Sequence, residues 1–335
     1  LPALDLKSLH TNQRLFVEEL MRRGASVYPY DTALEILLVS YNGTSVWLVD
    51  RSTHHVPLTA TILAADKQVC RDILAAHGVP VPKGGVYRLE QQADILKAAR
   101  ETLAYPLVLK PHQGSHGHNV YCGIENEAQL ENLLDICASN SSFPDPVIVE
   151  EHIEGREYRI FVTSKGDYAV LHRDPAHVIG DGVTSIEDLA EKETVRRLAL
   201  KREKGTSLCP IVIDAETESY LARDGKTLGY VPSDGEKVYL RHASNLVQGG
   251  FSRDCTDEAH PSVIALARRA LACFPGLPLA GVDFMTTDIS ADQSRLRAAI
   301  IEVNTNPGFS MHMLPGAGTP RNVAAYAADV LFPDL

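Results

Sequence analysis

Three residues carry the first chemical signal: Asp283, Glu302 and Asn304. Glu302 and Asn304 close the apolar run Ile300-Ile301-Glu302-Val303-Asn304, which then breaks at Asn306-Pro307-Gly308. Asp283 sits in a run of the same kind, Leu279-Ala280-Gly281-Val282-Asp283-Phe284. Two adjacent strands would bring the three side chains to one side. Hard oxygen ligands of this kind suit Mg²⁺, which usually also takes waters and substrate phosphates. The chemistry indicated is that of a nucleotide-using enzyme.

Phosphates need cations and turned backbone. Neither the Gly-x-x-x-x-Gly-Lys-Ser/Thr loop nor a Gly-x-Gly-x-x-Gly turn occurs, so a nucleotide would need another cradle. The candidate is Gln113-Gly114-Ser115-His116-Gly117-His118-Asn119, whose glycines allow inward-turned NH groups to form an anion nest. Lys110 directly precedes it, and Lys67 lies in an upstream helix. Taken singly, a glycine-containing hairpin loop and a lysine at a strand end are ordinary. Side by side they fit the α- and β-phosphates. His112, His116 and His118 read more simply as solvated loop residues than as metal ligands.

The next group is Val147-Ile148-Val149-Glu150-Glu151-His152-Ile153-Glu154-Gly155-Arg156-Glu157. An apolar strand ends in acids, turns at Gly155 and resumes. Backbone groups at such a turn can read an adenine edge, and a carboxylate just beyond it can hold ribose hydroxyls. Arg159, Arg173, Arg241 and Arg321 are carboxylate clamps in prospect, because guanidinium binds carboxylate bidentately.

These residues need a scaffold. A helix over 11–23 ends at Gly24 and is followed by strands at 26–30, 36–41 and 45–50, with Asn42-Gly43 as a hairpin turn. One long helix is expected over 59–77. Strands follow at 104–110, 120–124, 146–151, 157–164 and 168–173, with a helix at 127–138. Ser185-Ile186-Glu187-Asp188 opens another helix as a capping box. A strand at 238–243, a helix at 261–274, the two acid-bearing strands and a helix at 321–332 complete the chain. Helices and strands mix without strict βαβ alternation, so the fold class is α+β.

Composition narrows the partners. The 335 residues carry a net charge of −11, which argues against nucleic acid bound through phosphate neutralisation. No apolar run has spanning length and no signal-peptide pattern is present, so a cytoplasmic protein is expected. The six cysteines form no Cys-x-x-Cys and no zinc spacing, and are expected to be reduced thiols. The chain begins at Leu1, so its N-terminal lobe is expected to be incomplete.

The order of these features (lysine helix, strand-Lys-glycine loop, strand-Glu-turn-Glu, strand-Asp, strand-Glu-x-Asn) resembles the ATP-grasp superfamily of carboxylate–amine ligases over about residues 55–333. Glu302-Val303-Asn304-Thr305-Asn306-Pro307-Gly308 is similar to the metal and phosphate motif of D-alanine–D-alanine ligases. Asp66-Lys67, Gly78-Val79-Pro80-Val81-Pro82, the segments 175–182, 239–241 and 245–250, Gly308–His312 and Pro320–Val323 look closer to the ATP-grasp portions of cyanophycin synthetase and bifunctional glutathione synthetase.

The resemblance implies an N-terminal lobe at 1–58, a helical and linking segment at 59–103, a small lobe with the glycine loop at 104–153 and a C-terminal lobe with the metal site at 154–335. It implies that Lys67 and Lys110 contact ATP phosphates and that Gln113, Gly114, Ser115, His116 and Gly117 belong to a mobile loop over them. Glu150, Glu151 and Ile153 would frame the adenine, and Glu157 the ribose. Asp283, Glu302 and Asn304 would hold two Mg²⁺, with Mn²⁺ as an alternative. Arg241 would sit near the transferring phosphoryl group, with Asn245, Gly249 and Gly250 at the acceptor end and Gly308 in the turn that receives the activated carboxylate. His177 and His312 are candidate bases or positioning groups. In D-alanine ligases an arginine lies two residues before the metal-binding Asp; here Gly281 stands there, and Arg241 is the expected substitute. The further ligase domain of cyanophycin synthetase does not follow, so a stand-alone ligase of small-molecule acid and amine is expected unless the chain is a fragment of a longer protein. A homodimer is compatible with the resemblance. The other readings are an ATP-grasp small-molecule kinase and a non-catalytic ATP-binding module.

Overall fold

The computed structural model describes residues 4–114, 119–203 and 205–335. Among the described residues, three larger antiparallel sheets and one two-stranded ribbon divide the work.

The first sheet is packed by an amphipathic helix. α1 (Thr11–Arg22) buries Phe16, Val17 and Leu20, and β1 (Ser26–Asp31), β2 (Ile36–Tyr41) and β3 (Thr44–Val49) lie in the order β1-β2-β3. Asn42 and Gly43 both have positive φ, 46° and 77°, as a two-residue hairpin turn requires.

The single helix expected over 59–77 is two: α2 (Leu58–Ala65) and α3 (Lys67–Ala76). Asp66 stands between them in extended backbone, and its carboxylate accepts from the amides of Gln68 and Val69 at 3.0 and 2.9 Å. An N-cap aspartate starts a helix rather than continuing one. The break places Lys67 in the first turn of α3.

The second sheet comprises β4 (Gly84–Tyr87), β5 (Leu107–Pro111), β6 (Tyr121–Ile124) and β7 (Val147–Glu151) in the order β4-β7-β5-β6, covered by α4 (Gln92–Glu101) and α5 (Glu127–Ser139). Ile95, Leu107, Leu109, Leu130, Leu134 and Val149 form its core. β4 falls in the stretch read as helical and linking; its Gly84-Gly85 is poor strand sequence, and pairing with β7 recruits it.

The third sheet contains β8 (Arg156–Thr163) and β9 (Tyr168–Asp174). The chain then leaves through β10 (His177–Ile179), α6 (Ile186–Glu203), α7 (Ala215–Arg223) and β11 (Lys237–Tyr239), where β10 and β11 pair as a ribbon. It returns with β12 (Phe251–Asp254), α8 (Pro261–Ala272), β13 (Leu279–Thr286) and β14 (Ala299–Asn304), then closes with α9 (Ser310–Met313) and α10 (Val323–Leu331). The sheet order is β12-β9-β8-β13-β14. One face packs on α8 through Ile160, Val162, Val282 and Phe284. The other meets α1 and α10 through Phe161, Phe309 and Ala324. Strand alternation sets Arg159, Gly281 and Asp283 on this second side.

All six cysteines are free thiols. Among the described residues no helix is long and apolar enough to cross a membrane.

Candidate active site

Asp283 on β13 pairs directly with Glu302 on β14, and Gly281 with Asn304. The two strands therefore bring the acids together as their spacing predicts. Asp283 is buried, and arginines hold both its oxygens. Arg159, its partner across the β8–β13 ladder, donates from Nε to Oδ1 and from Nη2 to Oδ2 at 3.1 Å. Arg173 donates from Nη2 to Oδ2 at 2.9 Å and also bonds Glu157. Glu157 accepts a further bond from Ser244 Oγ. Burial pushes the Asp283 carboxyl up, but the charges of Arg159 and Arg173 outweigh it and hold the group below the usual range.

Gly281 explains the geometry. A side chain there would begin 2.8 Å from Pro307 Cβ and 3.2 Å from Arg159 Cδ. The arginine beside Asp283 thus comes from the neighbouring strand, and Arg159 fills the room that Gly281 leaves. Arg241, expected in that role, has other partners among the described residues. It is fully buried, forms an ion pair with Asp214 at 2.9 Å and donates to Glu216 and the Val212 carbonyl at 2.9 and 2.8 Å. Asp214 caps α7 and Glu216 lies in its first turn, so the guanidinium ties α7 to the end of the β10–β11 ribbon.

The donor set fits a hard cation. Among the described residues no side chain hydrogen-bonds the Glu302 carboxylate. The Asn304 amide oxygen accepts from the Asn306 NH at 2.9 Å. No cluster of three His, Cys, Asp or Glu groups is assembled among the described residues. A metal here would draw on Glu302, Asn304 and Asp283, the last by exchanging arginine contacts for the ion.

The lysines converge from two elements. Lys67 Nζ donates to the carbonyls of Gly114 and His112 at 2.7 and 3.2 Å, which fastens the start of α3 to the start of the glycine loop. Burial lowers the Lys67 pKa; Glu302 is the strongest acid opposing that shift, and Lys110 adds to it. Those couplings bring Lys67, Lys110 and Glu302 into one electrostatic neighbourhood. Lys110 pairs with the buried Glu150 at 2.5 Å, and Arg71 lies 3.5 Å from the same carboxyl. Arg71 was missed in the sequence; its signal is the i, i+4 spacing from Lys67 on one helix face. Gln113 and Gly114 lead into the loop, whereas Ser115, His116 and Gly117 lie outside the described residues.

The other expected residues have definite places. The Glu151 carboxylate turns to the Ala104 amide and Arg297, at 3.1 and 2.6 Å. Ile153 is buried just past β7. The Asn245 side chain accepts from the Val247 amide at 3.0 Å. Gly249 has φ +97°, and a side chain there would begin 2.6 Å from Ile211 Cα; together with Gly250 it offers carbonyls to Arg197. His177 Nδ1 is 2.8 Å from the Pro175 carbonyl, and burial lowers its pKa. Arg321 is spent on Asp254 and Asp257, at 2.9 and 2.7 Å. His312 is buried beside the Phe161 ring, both ring nitrogens unpartnered among the described residues. Gly308 lies in the loop between β14 and α9 with ordinary contacts around it.

A lysine-bearing helix, a glycine loop on an antiparallel sheet and strand-borne acids on a second sheet define an ATP-grasp fold. Within it, residues 64–209 match the RimK-like ATP-grasp domain. The chain is 40% identical over 336 residues to cyanophycin synthetase of Geminocystis herdmanii, covering 98% of this chain and 38% of that protein. It is 30% identical to the glutathione biosynthesis bifunctional protein GshAB of Clostridium perfringens, covering 97% of this chain and 41% of that one. The crystal structure of a bifunctional glutathione synthetase from Pasteurella multocida superposes with a TM-score of 0.72 at 25% identity, over 98% of this chain and 44% of that one. The chain thus spans less than half the length of these relatives.

Proposed function

We propose that the chain is an ATP- and Mg²⁺-dependent ligase that joins a carboxylate to an amine and releases ADP and phosphate. The observation that carries this reading is the meeting of Asp283 and Glu302 across β13–β14 with Lys67 held in the field of Glu302. The similarity to two synthetases supports it. The lobes at 1–58, 59–103, 104–153 and 154–335 are its domain plan; the separate sheets support the first, third and fourth, whereas β4 and α4 of the second join the sheet and core of the third. Two Mg²⁺ ions and a cytoplasmic setting belong to the same proposal.

A carboxylate is a poor electrophile, so the reaction needs activation. A carboxylate oxygen attacks the γ-phosphorus of ATP, the bond to the bridging oxygen breaks, and ADP leaves. The resulting acyl phosphate is attacked by a neutral amine; phosphate departs and the amine gives up a proton. Lys67 and Lys110 would bind and orient the ATP phosphates, since phosphoryl transfer rests mainly on positioning and charge. Bound Mg²⁺ would supply further charge neutralisation, held by Asp283, Glu302 and Asn304. Glu157 would orient the ribose, and the segment from Glu150 to Ile153 the base. The loop after Lys110 would exclude water, which otherwise hydrolyses the acyl phosphate.

The test is a matrix of amino acids and small carboxylates against amines, with ATP and Mg²⁺, read by phosphate release and product mass. The expected result is ADP and an amide, formed only with both substrates present. AMP and pyrophosphate would mean adenylation. Phosphate transfer to a hydroxyl would mean a kinase.

A further inference from the structure

The loop that follows β14 is tied to a distant part of the chain. Beside the local bonds of Asn306 NH and of the first turn of α9, residues 306–310 make five hydrogen bonds with side chains of the N-terminal segment, more than 250 positions away in the chain. Arg51 donates from Nε to the Pro307 carbonyl at 3.0 Å and from Nη2 to the Asn306 carbonyl at 3.1 Å. Asp50 accepts from the Asn306 side-chain amide at 2.7 Å and also pairs with Arg51. Asn12 Oδ1 accepts from the amides of both Phe309 and Ser310, at 2.9 and 2.8 Å.

The three side chains are themselves braced. Asp50 has φ +53° and Glu35 φ +55°, a region that non-glycine residues seldom occupy. The fully buried Gln13 donates from Nε2 to the carbonyls of Glu35 and Asp50, at 2.7 and 3.1 Å. Arg51 has only 11% of its side chain exposed. Phe16, one turn further along α1, stacks edge-on against Phe309 with ring centres 5.3 Å apart. A continuous set of bonds thus runs from α1 and the strand ends into the loop. At the far end of that loop, Asn306 NH bonds Asn304 Oδ1, a candidate metal ligand.

We propose that Asn12, Asp50 and Arg51 are positioning residues: the N-terminal segment sets the conformation of residues 304–310 and so places Asn304 and Glu302 for the reaction. The inference rests on the ligase reading for its catalytic consequence, but not for the ordering of the loop. Carbonyls at 306 and 307 that point at Arg51 cannot point into the site. The NH groups of Phe309 and Ser310 are likewise turned to Asn12. The N-terminal segment therefore decides which backbone groups of the loop remain for the substrate.

The variants are Asn12→Ala, Asn12→Asp, which restores the acceptor, and Arg51→Lys, which keeps the charge but cannot span two carbonyls. Two measurements are made on the full chain. The first is hydrogen exchange, by mass spectrometry, of a peptide covering 304–311 without ligand. The second is kcat and the KM for ATP with the active acid–amine pair. We expect Asn12→Ala and Arg51→Lys to speed exchange in that peptide at least fivefold while α8 exchanges unchanged. We expect kcat to fall at least tenfold with the KM for ATP held within twofold, and Asn12→Asp to recover most of both. Unchanged exchange overturns the proposal, as does a kcat within twofold of the parent. A joint fall of kcat, ATP affinity and α8 protection overturns it too, because that pattern is loss of fold. If the parent chain is inactive with every acid–amine pair, the ligase reading falls, and the exchange measurement still decides whether the segment orders the loop.

Discussion

Arg159 and Asp283 occupy opposed positions on β8 and β13, and the guanidinium of one closes on the carboxylate of the other. The pair is buried, so its removal and its exchange have different consequences. Removing one partner of a buried ion pair leaves an uncompensated charge and typically costs about 3–5 kcal/mol. Arg173 remains beside Asp283 and softens that loss. Arg159→Met should therefore destabilise the chain by about 2–4 kcal/mol in urea unfolding. Adding Asp283→Leu should return part of the loss, with a coupling of about 1–3 kcal/mol in the double-mutant cycle. Strict additivity would show that the two groups do not stabilise each other.

Glu302 behaves in the opposite way. Among the described residues no side chain hydrogen-bonds its carboxylate, so the fold has little to lose with it. Glu302→Ala should keep the thermal midpoint within about 2 °C, since surface-like substitutions stay within about 0.5 kcal/mol. Turnover should fall below a tenth of the parent at saturating ATP and Mg²⁺. Retention of more than a tenth would remove Glu302 from the metal set.

The acid-bearing strands were legible because strand periodicity fixes which side chains share a face, and Asp283 and Glu302 do meet as that rule requires. The hairpin at Asn42-Gly43 was legible for the same local reason. Other features were hidden. The break at Asp66 lay inside a continuous helical pattern, where a capping aspartate looks like any polar position. Arg159 as the partner of Asp283 depended on sheet order, with β8 beside β13, and no local pattern encodes which strands become neighbours. The resemblance makes Arg241 the substitute for the arginine missing at Gly281, yet its guanidinium is taken by α7, a helix not foreseen in the sequence. The role of the N-terminal segment was equally invisible, because the contacts of Asn12 and Arg51 with the loop after β14 span most of the chain.

Lys67 supplies a test of the phosphate reading. Its ammonium is bonded to two loop carbonyls and sits near Glu302, Lys110 and Glu150. Lys67→Met should raise the KM for ATP about tenfold, the loss of about 1.4 kcal/mol expected for one charge-assisted contact. Lys110→Met should do the same and also free Glu150, which would still face Arg71. An unchanged KM for ATP in both variants would place the phosphates elsewhere.

His312 makes acid stability readable. It is fully buried; burial first, and then the charges of Arg159 and Arg173, bring its pKa down to about 3 from the ordinary 6.5. Between those values the unfolded chain binds a proton that the folded chain does not. Stability must then be fully present above the unfolded pKa and decline as pH falls toward the folded one, by at most about 1.4 kcal/mol per pH unit from this group. His152, His172, His177 and His242 are also lowered by burial and add slope of the same sign, so the parent alone cannot isolate one ring. The comparison with His312→Phe can, because the variant keeps the packing against Phe161 and loses only the titration. Urea unfolding at intervals from pH 5 to pH 7.5 should give curves that converge near pH 7.5, apart from a constant offset, and separate steadily below about pH 6.5, with the parent losing stability faster. Carboxylates with lowered pKa do not confuse this window, since their stabilisation is lost only below their unfolded values near 4. Parallel curves would mean that His312 takes up its proton in the folded state, and hence that the space between Phe161 and the two arginines admits water.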